Sequence, residues 1–397
     1  NNSSPKQGGA LAYGRNQYNS YCKIIINNCL FVGNSAKEGG SALSLIVYQG
    51  CEITNSRFTQ NKFETGSGSI YIETDFDCPN VNEKPTRSPT ISVSNCIFDD
   101  TEGKDAGIVI NSSPNAPVSI QHCTLNKCGS SGHSINVQSN VQSTFIHNCT
   151  LNAGPGGVYV HSAGKIELSY NDFVKTSTDS ALSIESEDAS ETVSITQCLF
   201  DSCSGAVHSC FYISAQTDSF EFKDIIIQNS KLEGCENYIG SLNLKEGFTF
   251  TMTNFSFKYN SCSSLFGGGT GMLFSGISEL TFNICEFSNN EAHQDKTSSR
   301  PLENSPDNPY YNGDGGAIQI GCQKDTKLKK VTFNMCSFNN NKAFRHGGAI
   351  AIQTVNEVDL IDCKFEENIA NFNFESSDTL LFENHFHKKK EEEEPFI

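Results

Sequence analysis

The chain has 397 residues, with 28 Lys and Arg against 45 Asp and Glu, a formal charge of −17 and 37% hydrophobic residues. That acidic balance argues against nucleic acid or an anionic membrane surface as a partner, and no apolar run approaches bilayer-spanning length. The opening Asn1-Asn2-Ser3-Ser4-Pro5 shows no leader, so the sequence reads as a mature or excised ectodomain.

Taken from the N-terminus, one phrase recurs: an alternating strand, a small or polar residue, then an aromatic or leucine two positions on. It starts at Cys29-Leu30-Phe31 and returns at Ser56-Arg57-Phe58, Cys96-Ile97-Phe98, Cys123-Thr124-Leu125, Cys149-Thr150-Leu151 and Asn171-Asp172-Phe173. It continues at Cys198-Leu199-Phe200, Ser230-Lys231-Leu232, Phe255-Ser256-Phe257, Cys285-Glu286-Phe287, Cys336-Ser337-Phe338 and Cys363-Lys364-Phe365. A fixed period of this size marks a stacked-repeat architecture.

Each copy carries the positions of one coil. Apolar residues five and three places before the Cys column, such as Ile91/Val93, Val193/Ile195 and Val331/Phe333, alternate with polar ones, which predicts strands with one buried side. The residue just before the column is often asparagine (Asn28, Asn55, Asn95, Asn148, Asn229, Asn254), which tolerates a left-handed bend. A further strand follows, announced by glycines in Gly157-Val158-Tyr159-Val160 and Gly348-Ala349-Ile350-Ala351-Ile352. Three strands and three corners per turn predict an all-β fold, a single right-handed parallel β-helix of about twelve coils. The expected layout is a solenoid over residues 1–370 with insertions at 73–89 and 291–314, then a cap and charged tail over 371–397.

Of the 17 cysteines, eight fall in the column: Cys29, Cys96, Cys123, Cys149, Cys198, Cys285, Cys336 and Cys363. They read as a ladder of small buried thiols. Off-column cysteines are the disulfide candidates: Cys22 with Cys51 on adjacent coils, and Cys203 with Cys210 bracketing a glycine corner. No CxxC or paired Cys/His spacing occurs, so neither metal nor cofactor is expected. Of the Asn-X-Ser/Thr sequons, Asn111 in a Ser-Ser-Pro loop is the best glycosylation candidate.

Six copies extend to Phe-x-x-Asn, as in Phe31–Asn34, Phe58–Asn61, Phe257–Asn260, Phe287–Asn290, Phe338–Asn341 and Phe365–Asn368. Three others read Gly-Gly-Ala plus a branched residue: Gly8-Gly9-Ala10-Leu11, Gly315-Gly316-Ala317-Ile318 and Gly347-Gly348-Ala349-Ile350. Together these motifs resemble the repeats of the chlamydial polymorphic membrane proteins and their protist relatives. The resemblance spans about residues 8–370. It implies surface-displayed β-helices, several of them adhesins, and carries over no catalytic residue.

The alternative is a carbohydrate-active β-helix enzyme, lyase- or hydrolase-like, which needs carboxylates grouped across adjacent coils. On the outward positions of the first strand the acids Glu52, Glu167 and Asp359 stand several coils apart, and acids such as Glu185 read as solvated corner residues. The expected role is therefore binding: an extracellular or cell-surface rod, adhesive or structural, whose partner is a protein or glycan on a cell surface or a second copy. Insertions on solenoids carry function, which places recognition on 291–314, with Arg300, Tyr310 and Tyr311 as contacts.

Overall fold

The computed structural model describes residues 2–14, 23–47, 50–74, 90–105, 107–112, 116–138, 143–162, 164–186, 191–204, 208–232, 238–262, 271–293, 315–320, 328–344, 346–352 and 355–370. Within them the chain is a right-handed parallel β-helix. One coil shows the plan: Pro117–Gln121 on the first face, Thr124–Cys128 on the second and Ile135–Gln138 on the third. Each strand pairs in parallel with its counterpart one coil away, as Val118 does with Ile91 and Thr144. Twice, in Tyr238–Thr253 and Met272–Asn283, the third-face strand runs unbroken into the next first-face strand.

Period-two alternation sets the core. Ile91 and Val93 are buried while Ser92 and Ser94 face outward, and the same holds for Val193 and Ile195 against Ser194 and Thr196. On the second face the aromatic column stacks its rings one coil apart. Phe31, Phe58 and Phe98 lie 4.8 Å apart, and Phe287, Phe338 and Phe365 lie 4.9 and 4.8 Å apart.

One repeat copy is corrected by the register. Leu199 pairs with Ile226 and Phe200 with Ile227, so this coil's column triplet is Ile225-Ile226-Ile227 rather than Ser230-Lys231-Leu232. Ser230 instead occupies the position of the asparagine in Phe-x-x-Asn. The outward first-face residues of this coil are then Glu221 and Lys223. Aliphatic residues replace both Cys and Phe there, which hid the true copy.

Two corners per coil carry left-handed residues. The first precedes the Cys column, where Asn28, Asn55, Asn95 and Asn148 sit near φ 51–55°, but so do His122, Tyr170, Ile284 and Met335. The second follows the aromatic column, at Gln60, Lys127, Ala153, Ser202 and Asn289 among others. Glycine adopts this region freely and Asn, Asp and His more readily than other residues, whereas Ile284, β-branched at φ 55°, is strained.

At both corners buried side chains approach carbonyls of the preceding coil. At the second corner Asn341 Nδ2 donates to Phe287 O at 2.9 Å, while Asn341 Oδ1 accepts from Asn290 N and Nδ2 at 3.1 and 3.0 Å. Asn61, Asn290 and Asn368 repeat the pattern, and Asn260 donates to Ile227 O. At the first corner the column thiols lie between two carbonyls: Cys123 Sγ is 3.2 Å from Gln121 O of its own coil and 3.7 Å from Val93 O of the preceding one, and Cys336 Sγ is 3.4 Å from both Asn334 O and Phe282 O. Six column cysteines are buried; Cys29 is exposed and Cys363 half-buried, because each lies in a coil with a described neighbour on one side only.

Candidate functional site

Arg300, Tyr310, Tyr311 and Cys22 lie outside the described residues, as does most of each expected insertion and all of 371–397. The strands run further than the expected insertion limits: Glu73 and Thr74 complete Ile70–Thr74, and Glu291–Ala292 pairs with Ser261–Cys262 and Lys342–Ala343. His293 N still donates to Cys262 O, so coil-to-coil pairing continues through His293. Asn111 is exposed at the end of Ile108–Asn111 on the third face. Cys51 is buried in the first-face core, in register with Ile24 and Ile91, and burial pushes its thiol up to about 12. All 13 described cysteines carry free thiols.

The outer first face holds Glu52 and Glu167 singly, whereas Glu357 and Asp359 stand together on one strand. Glu52 pairs with Lys23 at 2.7 Å, Glu167 with Lys165 at 2.9 Å, and Lys330 bridges Glu357 and Asp359 at 2.6 and 2.7 Å. The corrected register adds Glu221, two coils from Glu167 with Ser194 between them, and its carboxylate accepts from Ser194 Oγ at 2.9 Å.

The third face is denser. Tyr159 donates its hydroxyl to Glu185 Oε2 at 3.0 Å, and His161 stands level with Glu185 on the adjoining strand. Burial, then the bond to Glu185, pushes the Tyr159 hydroxyl up to about 12, so it acts as a donor rather than a base. The His133 ring lies 5.5 Å from that of Tyr159, and burial holds its imidazole below the usual range against the pull of Asp179 and Asp105. Asp105 and Asp179 fix the loop beneath by accepting from His133 N at 2.7 Å and Gly132 N at 2.8 Å. Gly132 is required there, since at φ 75° an added Cβ would meet Asp105 Oδ1 at 2.2 Å.

Glu185 therefore sits on a strand, in Leu182–Ser186, and not at a corner. The signal that locates this group is the outward alternation of the third strands, Tyr159/His161 followed by Ser183/Glu185. A second group sits at the first corner, where His122 and His147 meet edge-on at 5.7 Å and His147 meets Tyr170 at 5.2 Å. Their Nδ1 atoms bond Asn148 and Ser169, each at 2.8 Å. Among the described residues no group of three His, Cys, Asp or Glu is placed to hold a metal.

The geometry is that of a solenoid with polar outer faces, and residues 81–250 match the family described as right handed beta helix region. Residues 335–353, which contain both Phe338–Asn341 and Gly347-Gly348-Ala349-Ile350, match the Chlamydia polymorphic membrane protein repeat. The chain is thus similar to the β-helices of that family, in keeping with a surface-type protein. Searches of the curated proteins and of the solved structures gave no match. No helix among the described residues is long and apolar enough to cross a membrane.

Proposed function

We propose that this chain is an extracellular or cell-surface rod that works by binding, as an adhesin or as a structural element assembling with other copies. The observation that carries this reading is the pairing of first-face acids, Glu52 and Glu167 each on a lysine, Glu357 and Asp359 together on Lys330 and Glu221 on the Ser194 hydroxyl, on a rod whose repeat resembles surface proteins. Recognition is assigned to the excursion after His293, with Arg300, Tyr310 and Tyr311 as its contacts; tyrosine offers amphipathic area at low entropy cost. The partner is a protein or glycan on a cell surface, or a second copy of the chain.

The test is to replace residues 294–314 by a short Gly-Ser linker, which leaves every described strand in place. Adhesion of the purified chain to cultured cells, and its sedimentation as single or assembled rods, are then measured. Loss of adhesion or assembly with an unchanged circular-dichroism spectrum supports the reading; unchanged behaviour removes the site from this loop.

The Tyr159–Glu185–His161 group favours a second reading, a carbohydrate-active β-helix. It predicts release of reducing or unsaturated ends from a polysaccharide panel, abolished by Glu185→Gln. No release from any member of the panel rejects it.

A further inference from the structure

One outward column of the third face runs Asn136, Tyr159, Ser183 and Tyr212 through four successive coils, with Glu185 two residues along from Ser183. Two polar atoms at the head of this column have no partner. Asn136 is only 5% exposed, yet its Oδ1 accepts no hydrogen bond, and His133 Nε2, three residues earlier in the chain, makes none either. Such orphans are rare, because each has given up its bonds to water without replacement. The surroundings are built rather than slack. Tyr159 adjoins Asn136 in register, and its ring lies 5.5 Å from that of His133. The His133 ring is seated against Gly156, where an added Cβ would stand 3.0 Å from its Cδ2. Asp105 and Asp179 pin the backbone of the same loop.

The chemistry of these groups selects a ligand. Asn136 Oδ1 and the Glu185 carboxylate are acceptors. Glu185 takes the Tyr159 hydroxyl and, among the described residues, no lysine, unlike Glu52, Glu167 and Asp359 on the first face. Burial keeps the His133 imidazole neutral, so its Nε2 can either donate or accept. A ligand hydroxyl does both and suits all three groups. An anion is opposed by Glu185 and by the formal charge of −17. A lone cation cannot span from Glu185 to Asn136, which stand two coils or about 9.6 Å apart along the rod. Tyr159 and Tyr212, both half-buried, flank the small Ser183 and add flat apolar area at low entropy cost.

From this arrangement we infer that the third face between Asn136 and Tyr212 is a binding subsite for a neutral glycan, held without turnover. The apolar side of a sugar ring lies on Tyr159 or Tyr212, and its hydroxyls bond Asn136 Oδ1, His133 Nε2 and Glu185. Entry requires the Tyr159 ring, which adjoins both orphaned groups, to tilt and exchange its bond to Glu185 for one to the sugar. The inference rests on the binding reading of the rod and narrows the partner to a glycan. It needs nothing from residues 294–314.

The full chain is tested on an immobilised array of neutral oligosaccharides built from hexoses and N-acetylhexosamines. Sialylated and sulfated oligosaccharides and a lysine-rich peptide serve as comparators. Capture of a neutral oligosaccharide without release of reducing ends is expected. Capture of none, capture of the charged probes alone, or release of reducing ends overturns the inference. The captured oligosaccharide is then titrated against variants by calorimetry. Tyr159→Ala and Asn136→Val should each weaken binding roughly tenfold or more, and Tyr212→Ala serves if Tyr159→Ala does not fold. Val109 fills the equivalent place one coil away, so Asn136→Val suits the strand and removes an orphaned oxygen; its thermal midpoint should hold or rise. A lowered midpoint with unchanged affinity makes Asn136 structural and overturns the assignment. Replacing residues 294–314 by the linker should leave this affinity unchanged. If that replacement abolishes capture and the third-face variants do not, the third-face site fails while the binding reading stands.

Discussion

The second corner is built one way at the ends of the rod and another in its middle. At Asn290, Asn341 and Asn368 each carboxamide accepts two bonds from the coil before it and returns one to that coil's aromatic carbonyl, while Asn260 accepts one from Ser230 N and donates to Ile227 O. From Thr101 to Ser230 the same position holds Thr, Cys, Gly or Ser. There Cys128 Sγ donates to Phe98 O at 3.7 Å and Cys203 Sγ to Phe173 O at 3.8 Å. The carbonyl is the same, so asparagine is not the one residue the corner accepts: Cys128 and Cys203 set a thiol against it, and Gly154 brings no side chain at all. A thiol donates weakly and accepts little from the coil before it, so the middle corners are held by fewer and longer bonds.

Substitution should separate the two designs. Asn341→Ala removes the donor to Phe287 O and leaves Asn290 N and Nδ2 without their acceptor, all buried, and should cost about 3 kcal/mol. Cys128→Ala removes one weak donor and little volume and should cost about 1 kcal/mol. Denaturant unfolding of the two variants at matched conditions checks the ratio; equal losses would mean the corners are equivalent.

The first corner offers the reverse experiment. Ile284 is half exposed, so replacing it removes little burial, and Ile284→Asn relieves left-handed strain at φ 55°. It should stabilise the rod by about 1 kcal/mol, and Asn254→Ile on the adjoining coil should destabilise it by a similar amount. A shift of the thermal midpoint in the same direction for both would refute the strain argument.

The smallest effect concerns pH. Burial holds the His133 imidazole below its ordinary range; Lys104 acts in the same direction, and Asp179 and Asp105 oppose it. The unfolded chain therefore takes up this proton first. Stability should be full above about pH 6.5 and fall as pH drops toward the folded value. His133→Gln should flatten that slope in unfolding curves collected from neutral to mildly acidic pH.

The pattern in the sequence carried the architecture because alternation, the Cys and aromatic columns and the glycine corners all repeat in one phase. It failed at Asp224-Ile225-Ile226-Ile227, where aliphatic residues fill the columns while Ser230-Lys231-Leu232 imitates the phrase. Restoring the register changes the column spacings there from 32 and 25 residues to 27 and 30, closer to the 27 of the preceding interval. The second left-handed corner was not legible, since Gln60, Lys127 and Ala153 are not residue types that announce positive φ. The buried character of the cysteines was legible; their approach to carbonyls of the preceding coil was not, because it depends on which carbonyl the corner leaves open. The Tyr159–Glu185 bond was missed because outward positions were compared on the first face and not on the third.

The central claim is that side chains along the corners act as linked staples between coils. A double-mutant cycle on Asn290 and Asn341 tests it most directly, using the unfolding free energies of each alanine variant and of the pair. Asn290 donates to Asn341 Oδ1 through both N and Nδ2, so the losses should be non-additive, with a coupling of about 1 kcal/mol or more. Losses that add to within about 0.5 kcal/mol would show that the two residues hold their corners independently and would contradict the ladder.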